Sequence, residues 1–221
     1  MFPRSKKKSF KYHPPTDPLK IIYKDNSLLV IDKQRGILSV PGRLPQHKDS
    51  VYSRAADLFG DIYPVHRLDM ATSGLIMFAR SKFAERYLMS QFRDRKIYKV
   101  YNAVVSGKLS KKKGFIDVPL ISDWDNRPKQ KVDFDKGKFS LTEYEVLSYC
   151  NGNTYLKLVP VTGRTHQLRV HMSFIGHPIL GDDLYGNSVC FGKADSLLLN
   201  SSVLSVNSTF FNKIFYSEFF F

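Results

Sequence analysis

An aspartate that does chemistry needs a polar pocket, a neighbour that keeps it ionised and a substrate within reach. Asp69 stands in His66-Arg67-Leu68-Asp69-Met70-Ala71-Thr72-Ser73-Gly74, a polar loop between Pro64 and an apolar run at 75–79. From there it can line a cleft and act as nucleophile or base. From spacing alone, the favoured reading is a carboxylate that caps a turn. A second cluster, Thr162-Gly163-Arg164-Thr165-His166-Gln167-Leu168-Arg169-Val170-His171, sets a glycine and an arginine at the start of a predicted helix. Such a start suits an anion, either an RNA phosphate or a protein carboxylate; the plainer alternative is a solvated basic face. In a third stretch, Tyr98-Lys99-Val100-Tyr101-Asn102-Ala103, alternation sets Tyr101 on the strand face opposite Val100. A lone strand tyrosine usually packs in a core, but beside a nucleotide pocket it can stack on a base and move a proton. The histidines do not form H-E-x-x-H, and Cys150 and Cys190 make no C-x-x-C pair. Neither a metal site nor a disulfide framework is expected.

These residues need a scaffold. The chain has 221 residues, 43% hydrophobic and 24% charged, values that exclude global disorder and a collagen-like fibre and allow one substantial core. Short strands are predicted at 21–23 and 28–31 around a turn at Asp25-Asn26. Asp49 or Ser50 is positioned to cap a helix carrying Val51, Ala55, Leu58 and Phe59. Ser81 is positioned to cap another carrying Ala84, Tyr87, Leu88 and Phe92. Between them, residues 75–79 read as a buried strand. Beyond the second helix the strand signal dominates, at 98–106, 115–120, 141–147, 154–161 and 197–206, with a charged loop at 124–131 and a helix at 166–175. The class is α+β. Residues 1–20 are expected to form a basic, proline-containing arm, 21–206 a single catalytic domain, and 207–221 an aromatic tail.

Thirty-four Lys and Arg against 20 Asp and Glu give a net charge of +14. That excess calls for a polyanionic partner, nucleic acid or an anionic membrane surface. No apolar run approaches a membrane span, and the basic N-terminus lacks the apolar core of a secretory signal. The expectation is a cytoplasmic, nucleic-acid-facing protein with no membrane partner.

Taken together, the motifs resemble the RluA family of pseudouridine synthases. The resemblance rests on His66-Arg67-Leu68-Asp69-x-x-Thr72-Ser73-Gly74-Leu75, Gly36-Ile37-Leu38-Ser39-Val40-Pro41-Gly42, Lys99-x-Tyr101-x-Ala103, the stretch 163–171 and His177-Pro178-Ile179-Leu180-Gly181-Asp182. It implies a central mixed, mostly antiparallel sheet flanked by helices and loops, with an RNA-binding cleft. The short chain, the run 69–74 and Asp123-Trp124-x-Asn126-Arg127-Pro128-Lys129-Gln130-Lys131 are similar to the family's dual-specificity branch. That branch isomerises a uridine in a 23S rRNA hairpin loop and one in tRNA anticodon loops, conventionally numbered 746 and 32. The chain departs from the pattern at Gln34-Arg35, in place of Pro-Ser or Pro-Ala, at Asn200, in place of histidine, and at its extreme C-terminus.

The resemblance implies a reaction that breaks the C1′–N1 bond of uridine, rotates the uracil and rejoins it through C5, with no redox change and no cofactor. It assigns Asp69 as the carboxylate, Arg164 as the cation keeping it ionised, and Tyr101 as the group that stacks on the uracil and assists proton removal. A stacked base must be extruded to react, and Arg67 matches the position of a wedge filling the gap. His66 and Thr72 are carried over as further RNA contacts, and Lys129, Lys131 and Arg169 as phosphate contacts that set affinity rather than sequence choice. The implied partners are 23S rRNA and tRNA stem-loops. No obligate protein partner is expected, and the absence of heptads favours a monomer. The rivals are a related synthase for other uridines and a non-catalytic RNA-binding factor, which has no need of Asp69, Tyr101 and Arg164 together. No carboxylate cluster supports a metal-dependent nuclease.

Overall fold

The chain turns first at Asp25, whose carboxylate accepts the N–H groups of Ser27 and Leu28 at 2.7 Å each, a side-chain substitute for a backbone turn bond. The strands that it joins are β1 (Lys20–Lys24) and β2 (Leu28–Lys33). The structure, a computed structural model, describes residues 11–187, 190, 194–207 and 210–217.

Helix α1 (Val51–Phe59) follows, its first turn closed by Ser50 and Ser53 in a reciprocal cap. Next come β3 (Tyr63–Pro64) and β4 (Ser73–Ala79). Every residue of β4 is buried, as expected of an apolar run without alternation. Ser81 caps α2 (Lys82–Arg93). The strand-rich half holds β5 (Ile97–Val105), β6 (Lys113–Asp117), β7 (Leu120–Ser122), β8 (Gln130–Val132), β9 (Leu141–Cys150) and β10 (Asn153–Pro160). Helix α3 (Gln167–Phe174), β11 (Leu199–Asn207) and β12 (Asn212–Tyr216) complete the order.

The described residues form a ten-stranded sheet in the order β1-β2-β4-β11-β5-β10-β9-β6, with β3 on β4 and β12 on β11; β7 and β8 pair separately. Its one parallel contact, β4 with β11, spans Ser73–Asn200 and Gly74–Ser201. Every other pairing is antiparallel. The mixed, mostly antiparallel α+β architecture is therefore what the chain adopts. Gly74 has φ 101°, and a Cβ there would strike the Asn200 side chain and the Ser201 backbone. The glycine closing the Asp69 motif is thus required by a close strand approach.

Three apolar clusters divide the interior. One gathers Leu28, Leu75, Met77, Leu88 and Leu204, another Ala103, Leu156, Leu158, Leu168 and Met172, and a third Leu29, Ile31, Ile76, Phe78 and Ala55. Tyr101 packs against both the second and the third. The candidate site lies at that junction.

Two boundaries differ from expectation. Part of the segment set apart as an aromatic tail is sheet: β12 pairs with β11, and Phe211 and Phe215 enter the core; residues 218–221 lie outside the described residues. Part of the N-terminal arm is docked. The Tyr12 hydroxyl accepts the Leu38 N–H and donates to the Asp49 carbonyl, and Arg54 donates to the Pro15 carbonyl. Residues 1–10, with Lys6, Lys7 and Lys8, lie outside the described residues. Among the described residues no helix is long and apolar enough to cross a membrane.

Candidate active site

The backbone around Asp69 is held by hydrogen bonds on both sides. The Ser39 hydroxyl donates to the Leu68 carbonyl at 2.7 Å and accepts the Leu68 N–H at 3.0 Å. The Thr72 N–H donates to the Asp69 carbonyl at 3.1 Å, and the Gly36 N–H to the Met70 carbonyl at 2.9 Å. The Lys33 Nζ donates to the same Met70 carbonyl at 3.0 Å and to the Gln34 carbonyl at 2.8 Å. The Gly36–Gly42 motif is therefore a clasp for the Asp69 loop, the kind of supporting shell that fixes a reactive side chain before substrate arrives.

The carboxylate itself is 27% exposed. One of its oxygens, Oδ2, lies 3.8 Å from an Arg169 guanidinium nitrogen and 3.8 Å from His166 Nε2. Arg169 was expected to hold RNA phosphate. Its side chain is only 3% exposed and bonds bidentately to Asp182 at 2.7 and 2.8 Å, and to Asp183 at 3.0 Å, so no phosphate reaches it. Burial opposes its charge, but the three carboxylates outweigh burial and hold its pKa above the ordinary value. Arg164, expected beside Asp69, sits at the surface with Nε donating to the Phe139 carbonyl at 3.2 Å. The guanidinium beside Asp69 is therefore that of Arg169, not of Arg164.

Local chemistry explains the exchange. Gln167 ties the turn before α3 to β9: its Oε1 accepts from Thr162 Oγ1 and the Arg164 N–H, and its Nε2 donates to the Leu141 carbonyl and Thr142 Oγ1. His166 takes a left-handed backbone, φ 54°, as the N-cap residue. That turn leaves Arg164 outside and directs Arg169 inward.

The remaining residues divide. Tyr101 is half-buried; burial, and less so the Asp69 charge, pushes its hydroxyl up to about 12, against a hydrogen bond with Ser201. It is a protonated phenol at neutral pH. Lys33 is almost fully buried and pushed down to about 7 by that burial, with Asp69 resisting. His66 is engaged within the fold: its Nε2 accepts the Met77 N–H at 2.9 Å and its ring stacks on Phe92. Burial, then Lys99, pushes it down to about 3, so the ring is neutral. It satisfies an N–H of β4. Thr72 is also buried, where RNA cannot touch it. Arg67 and Lys131 are exposed and Lys129 is half-exposed, as RNA contacts require. Beside them Arg127 lies over the Trp124 ring at 3.5 Å.

Sequence reasoning missed Lys33, His166 and Tyr185 as parts of this site. Lys33 had a signal, because in β2 it shares alternation with Leu29 and Ile31, both core residues. Tyr185 sits in a turn with no periodic pattern to mark it. Among the described residues no group of side chains fit to hold a metal ion is present.

Comparisons with known proteins point to one family. The RNA pseudouridylate synthase family model matches residues 27–174. A protein of Pasteurella multocida (strain Pm70) named dual-specificity RNA pseudouridine synthase RluA is 50% identical over 196 residues, covering 88% of this chain and 90% of its own. Its namesake in Escherichia coli (strain K12) is 51% identical over 197 residues, with the same coverage. Among solved structures, human RNA pseudouridylate synthase domain containing 1 superposes with a TM-score of 0.79 at 26% identity, covering 93% of this chain and 85% of that one. A clasped aspartate beside a buried arginine and a tyrosine, on this sheet and with these relatives, marks the chain as a member of the RNA pseudouridine synthase family.

Proposed function

We propose that the protein isomerises uridines in two kinds of stem-loop, a 23S rRNA hairpin and tRNA anticodon loops, with the uridines numbered 746 and 32 as targets. It acts as a monomer in the cytoplasm, where both RNAs reside, and its chemistry calls for no cofactor. The reading draws on relatives of about half identity that carry dual specificity in their names. The run 123–131, built here as the β7–β8 hairpin with its exposed Trp124 and Lys131, adds to it.

The observation that carries the mechanism is an Asp69 carboxylate that is partly open to solvent, fixed by its backbone and paired with a buried guanidinium. The Arg169 guanidinium stands 3.8 Å from the carboxylate. The uridine is flipped into the pocket, with Arg67 filling the gap it leaves and Tyr101 stacking on the uracil. Asp69 assists cleavage of the C1′–N1 bond, the base rotates, C1′ joins C5, and the C5 proton leaves as N1 gains one. A protonated Tyr101 accepts that proton only while passing its own onward.

Asp69→Asn tests the proposal. The variant is expected to bind both stem-loops and to form no pseudouridine on either. Turnover by the variant would remove Asp69 from the chemistry. Mapping of pseudouridine in RNA from cells with and without the gene tests dual specificity, with both marks expected to vanish.

A further inference from the structure

The nearest approaches of Arg169 and His166 to the Asp69 carboxylate are both to Oδ2, at 3.8 Å each. Arg169 is committed elsewhere by its bidentate bond to Asp182. The orientation of the carboxylate therefore depends on what His166 presents to it.

The His166 tautomer follows from a count of hydrogens. Nδ1 lies 2.7 Å from the Tyr185 hydroxyl. That hydroxyl already accepts the Gln130 N–H at 2.7 Å. Its own hydrogen needs an acceptor, and among the described residues Nδ1 is the one within reach. A phenol that accepts from Gln130 and donates to Nδ1 is fully used. Nδ1 is then the bare nitrogen, and the neutral ring carries its proton on Nε2, aimed at Asp69. Burial, with Arg169 also opposing a second positive charge, keeps the ring neutral against the pull of Asp69.

We propose that His166, locked by Tyr185 as its Nε2–H tautomer, is a positioning residue that orients the Asp69 carboxylate from the Oδ2 side. The inference rests on the assignment of Asp69 to uridine isomerisation. The separation of 3.8 Å is not yet a hydrogen bond, and such contacts tighten when substrate fills the site. The relay also begins at Gln130, the first residue of β8, so the position of the hairpin reaches the carboxylate through one phenol and one imidazole.

Tyr185→Phe removes the hydroxyl and keeps the ring, which lies under the Arg169 guanidinium at 5.3 Å. His166→Asn keeps a residue that tolerates the left-handed backbone but is too short to span Tyr185 and Asp69. Each variant is assayed as the full chain on an anticodon stem-loop under single turnover. Each is expected to lose about ten-fold in rate at saturating RNA, the size of one hydrogen bond to a charged group, with RNA affinity held. The double variant is expected to lose no more than His166→Asn alone. Nitrogen NMR of the imidazole is expected to show a single Nε2–H tautomer in the wild type and a mixture in Tyr185→Phe. A normal rate in Tyr185→Phe, additive losses, or a proton on Nδ1 in the wild type would overturn the proposal. A wild-type protein inactive on both stem-loops would instead overturn the assigned reaction, and the tautomer is read without it.

Discussion

Lys33 braces the Asp69 loop from inside the fold. Its nitrogen meets two carbonyl acceptors, Gln34 and Met70, and a neutral amine has the two hydrogens needed for both. The charged form gains only the attraction of Asp69, and burial outweighs that, hence a pKa of about 7. The unfolded chain holds this proton up to the ordinary lysine value of 10.5. Above pH 7 the unfolded state therefore binds more protons, and stability rises with pH, by at most about 1.4 kcal/mol per unit from this group. Denaturant titrations at pH 7 and pH 9 are expected to show the rise in the wild type and its loss in Lys33→Met. A variant that keeps the full slope would place the titration elsewhere. Tyr101→Phe belongs to the same scale: stacking survives, the hydroxyl relay does not, and the single-turnover rate is expected to fall about 100-fold, the lower range for a proton-transfer group. An unchanged rate would leave Tyr101 as packing. Asp69 and Tyr101 drew attention through the family resemblance of the runs they sit in, since spacing alone favoured a turn cap and a core tyrosine. The choice between Arg164 and Arg169 was not legible in the sequence, because it depends on the helix phase set by a left-handed His166 and on the Gln167 tether to β9.

Among the elements, strands that announce themselves by apolar runs were readable, and pairings made far apart in the chain were not. The β4–β11 crossing rests on two residue pairs, too few to leave a pattern. It nevertheless fixes Gly74 and so the exit of the Asp69 loop. The C-terminal β12 was hidden because its aromatic-rich surroundings carry no clean alternation, although Phe215 turns inward against Tyr23 at 5.3 Å between ring centres. Just beyond it the Ser217 hydroxyl donates to Asp32 in β2 at 2.9 Å, so this strand links β11 to the strand that carries Lys33. Phe215→Ala is expected to cost about 3 kcal/mol of unfolding free energy, the low end for a buried phenylalanine, measured by denaturant titration. A loss below about 1 kcal/mol, typical of surface changes, would make β12 peripheral rather than part of the core.

At the scale of the whole molecule, the charge that draws RNA and the charge that does chemistry have opposite signs. The chain carries +14, yet around Arg169 the site gathers Asp69, Asp182 and Asp183. A polyanion approaching that cluster gains nothing from it, so attraction must come from cations outside it, such as the exposed Arg67 and Lys131. Affinity and catalysis should then respond differently to salt. Between about 50 and 200 mM salt, binding of a stem-loop is expected to weaken along a straight log–log line, and Lys131→Ala to reduce its slope by about 0.7–0.9, one phosphate contact. Over the same range the single-turnover rate at saturating RNA is expected to stay level, because bound RNA covers the Asp69–Arg169 contact and buried pairs are screened little. A saturated rate that falls with salt would mean that the outer cations also stabilise the transition state. In that case the separation between gripping RNA and isomerising it would not hold.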